Sequence, residues 1–269
     1  MTVESKEQLE NELQAINKWE REQNGMGIFD KLGRLPFMLL DKITPKVVHE
    51  KLGMALNELG SFIQSGGQYL ISERSIQEQL AREARAVSIP FVRASELPLV
   101  TMDKVADSLV SSRSKLAAVQ GATTGIGGIF TLAIDIPAIL GISLKVLQEL
   151  SVCYGYDPKE KQERLFVVKC LQFASSDIVG KRVILDELAQ LSGSARADQA
   201  ISQIQGWREV VASYRDNFGW KKLFQMVPVA GMVFGAWINR GTLQDVAEAG
   251  KMLYRKRRIM ERLESLGND

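Results

Sequence analysis

From Leu116 to Ile134 the chain runs nineteen positions without a charge, and no other feature constrains its fold as much. The centre of this run, GATTGIGGIFTLAIDIP over residues 121–137, holds four glycines in eight positions and one carboxylate, Asp135. Apolar surface on this scale has to be covered by protein or by lipid. A second uncharged run, Leu223 to Asn239, carries Pro228 inside it. Both runs fall near or below the ~20 apolar residues that span a bilayer. The first also contains Gln120, Thr123 and Thr124, and Asp135 lies well inside the longer stretch that ends at Lys145. A charge at the bilayer centre costs roughly 2.5–3.5 kcal/mol or more. Three readings stay open: a helical hairpin buried in a soluble core, a hairpin dipping into one leaflet, and ordinary spanning helices.

The glycine spacing narrows what the run does. Gly121, Gly125 and Gly128 fall on one helical face, and Gly231 and Gly235 repeat the four-residue spacing in the second run. Small residues at this spacing let helices approach closely, so the two glycine faces are expected to pair. A phosphate cradle is excluded by residue identity. A P-loop needs GxxxxGK[S/T], and here Gly128 is followed by Ile129 and Phe130. A dinucleotide fold needs GxGxxG between a strand and a helix, and the pattern here is GxxxGxGG inside helical periodicity.

Strand signals are almost absent and helical periodicity appears nearly everywhere. The spacing predicts helices near the N-terminus, over about 46–71, 75–87, from Thr101 into the glycines, 137–154, from Pro158 onward, 195–217, and from Thr242 to the end. Ser75 and Glu78 resemble a capping box. Asp135-Ile136-Pro137 is expected to break its helix, because proline removes a donor and disfavours α geometry before it. The fold class is therefore all-α: one helical domain around a central, buried, apolar, glycine-rich hairpin. Residues 1–24 form an N-terminal amphipathic helix and 25–269 the main helical domain.

Composition removes several function classes. The two cysteines, Cys153 and Cys170, fit no zinc or CxxC spacing and read as buried thiols. One histidine, His49, leaves no metal cluster to build, so neither a metal nor another cofactor is expected. The polar, acidic start of the chain has no secretory pattern, and a cytoplasmic place is expected. A net charge of +2 gives nucleic acid no footprint. The charge that exists is concentrated in the last helix. Lys251, Arg255, Arg258 and Arg262 form one stripe at helical spacing, as in helices that lie on anionic membranes or bind partners. Basic residues also flank both uncharged runs: Arg113, Lys115 and Lys145 the first, Lys221, Lys222 and Arg240 the second. That pattern suits an element entering and leaving from the cytoplasmic face.

Two blocks resemble the EcsC family. QGATTGIGGIFTLAIDIPAILGISLKVLQELSVCYGYDP (120–158) is similar to its signature of small residues, D-x-P, and a helix ending in YG-x-D. PVAGMVFGAWINRGTLQDVAEAGKMLYRKR (228–258) resembles its C-terminal P-x-x-G-x-x-x-G, Asn and A-x-x-x-Y/F pattern, and Trp19-Glu20 is a weaker third match. The resemblance covers about residues 10–260. It implies a bacterial protein associated with, but not necessarily embedded in, the membrane, from a family named after an operon with an ABC transporter and without a settled reaction; the place expected for this chain is cytoplasmic, peripheral to the inner face of the cell membrane. The positions it marks are Gly121, Gly125, Gly128, Asp135, Pro137, Tyr154, Gly155, Asp157, Gly231, Gly235 and Asn239.

Asp135 invites three readings: a cap on a broken helix, a partner for a buried Arg, Lys or Asn239, or a catalytic acid–base group. No second perturbed group accompanies it, so it is only a weak catalytic candidate. The function expected first is a non-enzymatic protein that binds an anionic membrane surface or a membrane protein. It would use its glycine-rich helices and the stripe Lys251, Arg255, Arg258 and Arg262. The alternatives are an enzyme acting on a lipid with Asp135 in an apolar pocket, and a soluble adaptor of a transporter. Oligomeric state is not legible.

Overall fold

A computed structural model describes residues 4–23, 61–62, 66, 71–84, 93–125, 132–176, 178–191 and 228–267. For residues 125, 132–137, 178–179, 190–191, 228–235 and 238 it describes the helical backbone alone. Seven α-helices are found among these residues, and no strand: α1 (Lys6–Glu22), α2 (Glu73–Glu83), α3 (Leu99–Gly125), α4 (Leu132–Cys153), α5 (Lys161–Ser175), α6 (Ile178–Leu191) and α7 (Pro228–Gly267). The architecture is all-α, as the periodicity indicates.

Local chemistry sets several of the boundaries. Ser5 and Gln8 form a reciprocal capping box at the start of α1, with the Gln8 N–H donating to Ser5 Oγ at 3.2 Å and the Ser5 N–H to Gln8 Oε1 at 2.9 Å. The first amide of α3, on Leu99, donates at 2.6 Å to the Glu4 carboxylate, so this helix is capped by the N-terminal segment of the chain. At the end of α4, the Tyr156 N–H donates to Ser151 O and the Gly155 N–H to Val152 O, a Schellman closure. It requires the left-handed region at Gly155, whose φ is +81°. α7 begins at Pro228, where the missing N–H costs nothing, and its forty residues extend about 60 Å.

α3 and α7 form the spine and run antiparallel. Asp103 meets Arg255, Asp107 meets Lys251, and Gln120 meets Asn239, so the register stays constant along the pair. α4 packs against both. A Cβ on Gly250 of α7 would stand 2.3 Å from Leu147 Cδ2 of α4, so glycine permits that approach. The core runs through all seven helices and includes Leu9 and Ile16 of α1, Leu80 of α2, Met102 of α3, Leu147 of α4, Phe173 of α5, Ile184 of α6 and Tyr254 of α7. Residues 6–22 thus pack into the same core as the main helical domain.

Four expected boundaries move. Asp135 and Pro137 lie inside α4, in its second turn, so the helix continues through the D-x-P. Proline there removes one hydrogen bond close to a helix start, a cost that the long buried remainder of α4 offsets. The second uncharged run and the basic helix are one continuous α7. Gly241 between them has open space around it and interrupts nothing. The cap of α2 is Ser72, not Ser75. Asp157 accepts from the Lys159 N–H at 2.9 Å and closes the turn before α5, whose N-cap is Glu160. The expected helices over 46–71 and 195–217, His49, Gly128, Lys221 and Lys222 lie largely or wholly outside the described residues.

Candidate functional site

The molecule is polarised along its spine. Among the described residues, one end gathers ion pairs around the C-terminal half of α7, and the other carries almost no charge.

At the charged end, the stripe expected on the surface faces inward, which corrects the sequence expectation. Lys251 Nζ lies 2.6 Å from Asp107. Arg255 lies 2.8 Å from Glu12 and 3.0 Å from Asp103. Arg258, buried, donates twice to the carbonyl of Tyr154, at 2.9 and 2.6 Å, and to Glu261 at 2.8 Å. Arg262, also buried, donates to Glu4 and to the carbonyls of Ser95 (3.0 Å) and Leu97 (2.6 Å). A cation at a helix C-terminus meets unsatisfied carbonyls and the negative end of the dipole, which is what Arg258 does for α4. The stripe is a clamp on α1, α3 and the Tyr154–Asp157 turn. Apart from Glu261, its partners lie about a hundred or more positions away in the chain, so periodicity alone could not show which face they occupy.

Behind the stripe is a buried cluster that sequence reading missed. The Tyr254 hydroxyl donates to Glu163 Oε1, and Arg257 donates to Glu163 Oε2 at 2.8 Å. Burial raises the Glu163 carboxyl, against the opposing pull of Arg257 and the Tyr254 hydrogen bond. Burial first, then Glu163, holds the Tyr254 hydroxyl well above its ordinary range. Tyr154 donates to Asp103 at 2.5 Å and is raised in the same way, by burial first and then Asp103. The guanidinium groups of Arg257 and Arg258 stand 4.1 and 4.3 Å from the Tyr156 ring centroid, within cation–π range. Tyr154, Tyr254, Glu163 and Cys170 are almost completely buried. These groups hold the YGYD turn among buried side chains. Both thiols are buried, and that burial pushes Cys153 and Cys170 up, away from the reactive thiolate form. Among the described residues no group of His, Cys, Asp and Glu has the arrangement to hold a metal ion. A second pair missed in the sequence, half-buried Arg113 with buried Glu149, ties α3 to α4 by two hydrogen bonds at 2.7 and 2.5 Å.

The other end is built from the C-terminal part of α3 and the N-terminal parts of α4 and α7, brought together by the antiparallel spine. Residues 116–125, 132–144 and 228–239 contain one ionisable side chain, Asp135. At 1.5 Å per residue these stretches are about 15, 20 and 18 Å long. Gln120 and Asn239 hydrogen-bond across the spine at 3.1 Å, and Asn239 is fully buried. Gly121 is buried, and in this register Gly231 and Gly235 of α7 run toward the glycines that end α3. Large apolar side chains stand exposed beside the Gln120–Asn239 contact: Val119 at 63 %, Leu116 at 47 % and Trp237 at 62 % of their full accessibility. The side chain of Asp135 is outside the described residues. Sequence reading passed over Trp237, although an indole in an uncharged run just before Arg240 is a signal of the membrane interface.

Fold and site together define an all-α protein with a clamped tyrosine turn at one end and a nearly uncharged three-helix end at the other. No solved structure matches the chain. The EcsC protein family model matches residues 10–259, and the chain belongs to that family. It is 56 % identical over 267 residues to "Uncharacterized protein YdbA" of Bacillus subtilis (strain 168), covering 98 % of this chain and 97 % of that one. It is also 31 % identical over 167 residues to "Protein EcsC" of the same organism, covering 62 % of this chain and 68 % of that one. Among the described residues no helix is long and apolar enough to cross a membrane.

Proposed function

We propose that this protein is a non-enzymatic, membrane-associated member of its family, seated on the inner face of the cell membrane by its uncharged end. The observation that carries the reading is the exposure of Trp237, Val119 and Leu116 on helix segments whose sequence holds no ionisable residue but Asp135. Segments of about 15–20 Å match one leaflet, half of a hydrocarbon core of about 30 Å. The three helices enter together with their backbone hydrogen bonds internal, as lipid demands, and small residues such as Gly121, Gly125, Gly231 and Gly235 suit close helix approach there. Exposed apolar side chains that cost free energy in water become favourable in the acyl region.

The inward-facing stripe has no part in this reading. Lys251, Arg255, Arg258 and Arg262 keep the fold and leave lipid contact to the far end. Flotation of the purified protein with phosphatidylcholine vesicles tests the proposal. Co-flotation that survives high salt and weakens in Trp237→Gln is expected. No flotation of the wild type with any vesicle would falsify the seating and favour a soluble adaptor.

A further inference from the structure

Resting on that seating, the geometry points to a cationic collar of Lys115, Lys145 and Arg240 that binds the headgroups of anionic phospholipids around the uncharged end. One residue comes from each of the three helices that build that end. In the register fixed by Gln120–Asn239, by Tyr154–Asp103 and by the Gly250–Leu147 approach, the three lie within about two helical turns, roughly 10 Å, along the spine. Beyond them toward the tip, Asp135 is the only ionisable residue of the three helices. Lys115 and Arg240 are exposed and Lys145 is half-buried, and none of them forms an ion pair with an acid among the described residues. Arg113, by contrast, is committed to Glu149.

Acidic residues are missing from the collar, and the tip segments of the three helices hold only Asp135. α3 has none between Asp107 and Gly125, α4 none between Asp135 and Glu149, and α7 none before Asp245. Over these stretches of the three helices the charge is therefore net positive, although the whole chain carries only +2. When the tip fills one leaflet, the collar stands at its upper rim. A headgroup layer is about 5–8 Å thick on each side, and lysine and arginine stems extend several ångströms to reach it. Anionic phosphodiesters are the ligands of that depth and charge.

The test titrates the protein with vesicles of phosphatidylcholine alone and of phosphatidylcholine with phosphatidylglycerol, at low and high salt. Each cation contributes about fivefold near an anionic surface, so three give about a hundredfold tighter binding to the anionic vesicles, reversed by salt. Lys115→Glu/Lys145→Glu/Arg240→Glu is expected to bind phosphatidylcholine as the wild type does and to lose the anionic gain. Lys115→Gln/Lys145→Gln/Arg240→Gln, which adds no new charge, is expected to lose it too while keeping its helicity. Retention of the gain in the glutamine variant overturns the collar. Equal wild-type binding to both vesicles also overturns it and leaves the seating intact. Absence of binding to either overturns the seating and the collar together.

Discussion

Replacing Gly155 by alanine probes the turn on which the charged end closes. Gly155 sits at φ +81°, where an L-residue is disfavoured by roughly 1–2 kcal/mol. A Cβ there would stand 2.5 Å from the Ser95 nitrogen and 2.7 Å from its Cα, contacts that only a backbone shift relieves. The Ser95 segment cannot yield freely, because the carbonyls of Ser95 and Leu97 are both gripped by Arg262. Forced repacking adds about 1–3 kcal/mol. The sum is a loss of about 2–5 kcal/mol, a large share of the marginal stability of a folded domain. Urea denaturation followed by far-ultraviolet circular dichroism measures it. Gly241→Ala, in the same assay, changes an α7 glycine with nothing within 4 Å of its Cβ position, and is expected to stabilise by up to about 1 kcal/mol. If Gly155→Ala falls within about 0.5 kcal/mol of wild type, the scatter of neutral surface changes, the Schellman closure and its contact with Ser95 do not exist in solution.

Further outcomes follow from the buried charges and the exposed end. Arg113→Met strands the Glu149 carboxylate and is expected to cost about 3–5 kcal/mol in urea, with most of it recovered in Arg113→Met/Glu149→Leu. The raised Glu163 carboxyl contributes stability that is present below the ordinary carboxylate range and is lost as pH rises through its folded value. Glu163→Gln should therefore flatten the fall of melting temperature with pH above that range, and an unchanged slope counts against the assignment. Arg258→Met and Arg262→Met are expected to lower the melting temperature and to leave vesicle binding unchanged. A specific loss of vesicle binding in folded variants would restore the outward-facing stripe. Burying the exposed part of Trp237 is worth about 2–3 kcal/mol, so Trp237→Gln should weaken partitioning into phosphatidylcholine at least tenfold.

Much of the fold was legible from local pattern. The helical period, the uncharged runs and the YGYD stop all have a physical cause within a few residues of chain. What was not legible depends on partners distant in sequence. Arg255 looks like a surface cation until Asp103 and Glu12 come to face it from two other helices. The cap of α3 is Glu4, and no short-range signal relates it to Leu99. The α4 break was placed at Asp135–Pro137 because local rules weigh proline heavily, whereas the packed remainder of the helix outweighs one lost bond. The helix start expected at Thr242 fails in the same sense, since an uncrowded helix passes through Gly241 at modest cost. At the candidate site, the charge-free stretches and the basic residues flanking them were visible in the sequence. Their convergence on one end was not, because it depends on the α3–α7 register that Gln120 and Asn239 fix.

The depth of position 237 in a bilayer tests the central claim most directly. A nitroxide label on Trp237→Cys, with the buried Cys153 and Cys170 left in place, reports its exposure to apolar oxygen against a water-soluble nickel relaxer. With vesicles present, the account predicts a shift to oxygen-rich, nickel-poor surroundings at the headgroup–acyl boundary, and a shallower reading for a label at Lys115→Cys. A label at 237 that stays as accessible to nickel with vesicles as without them would contradict it.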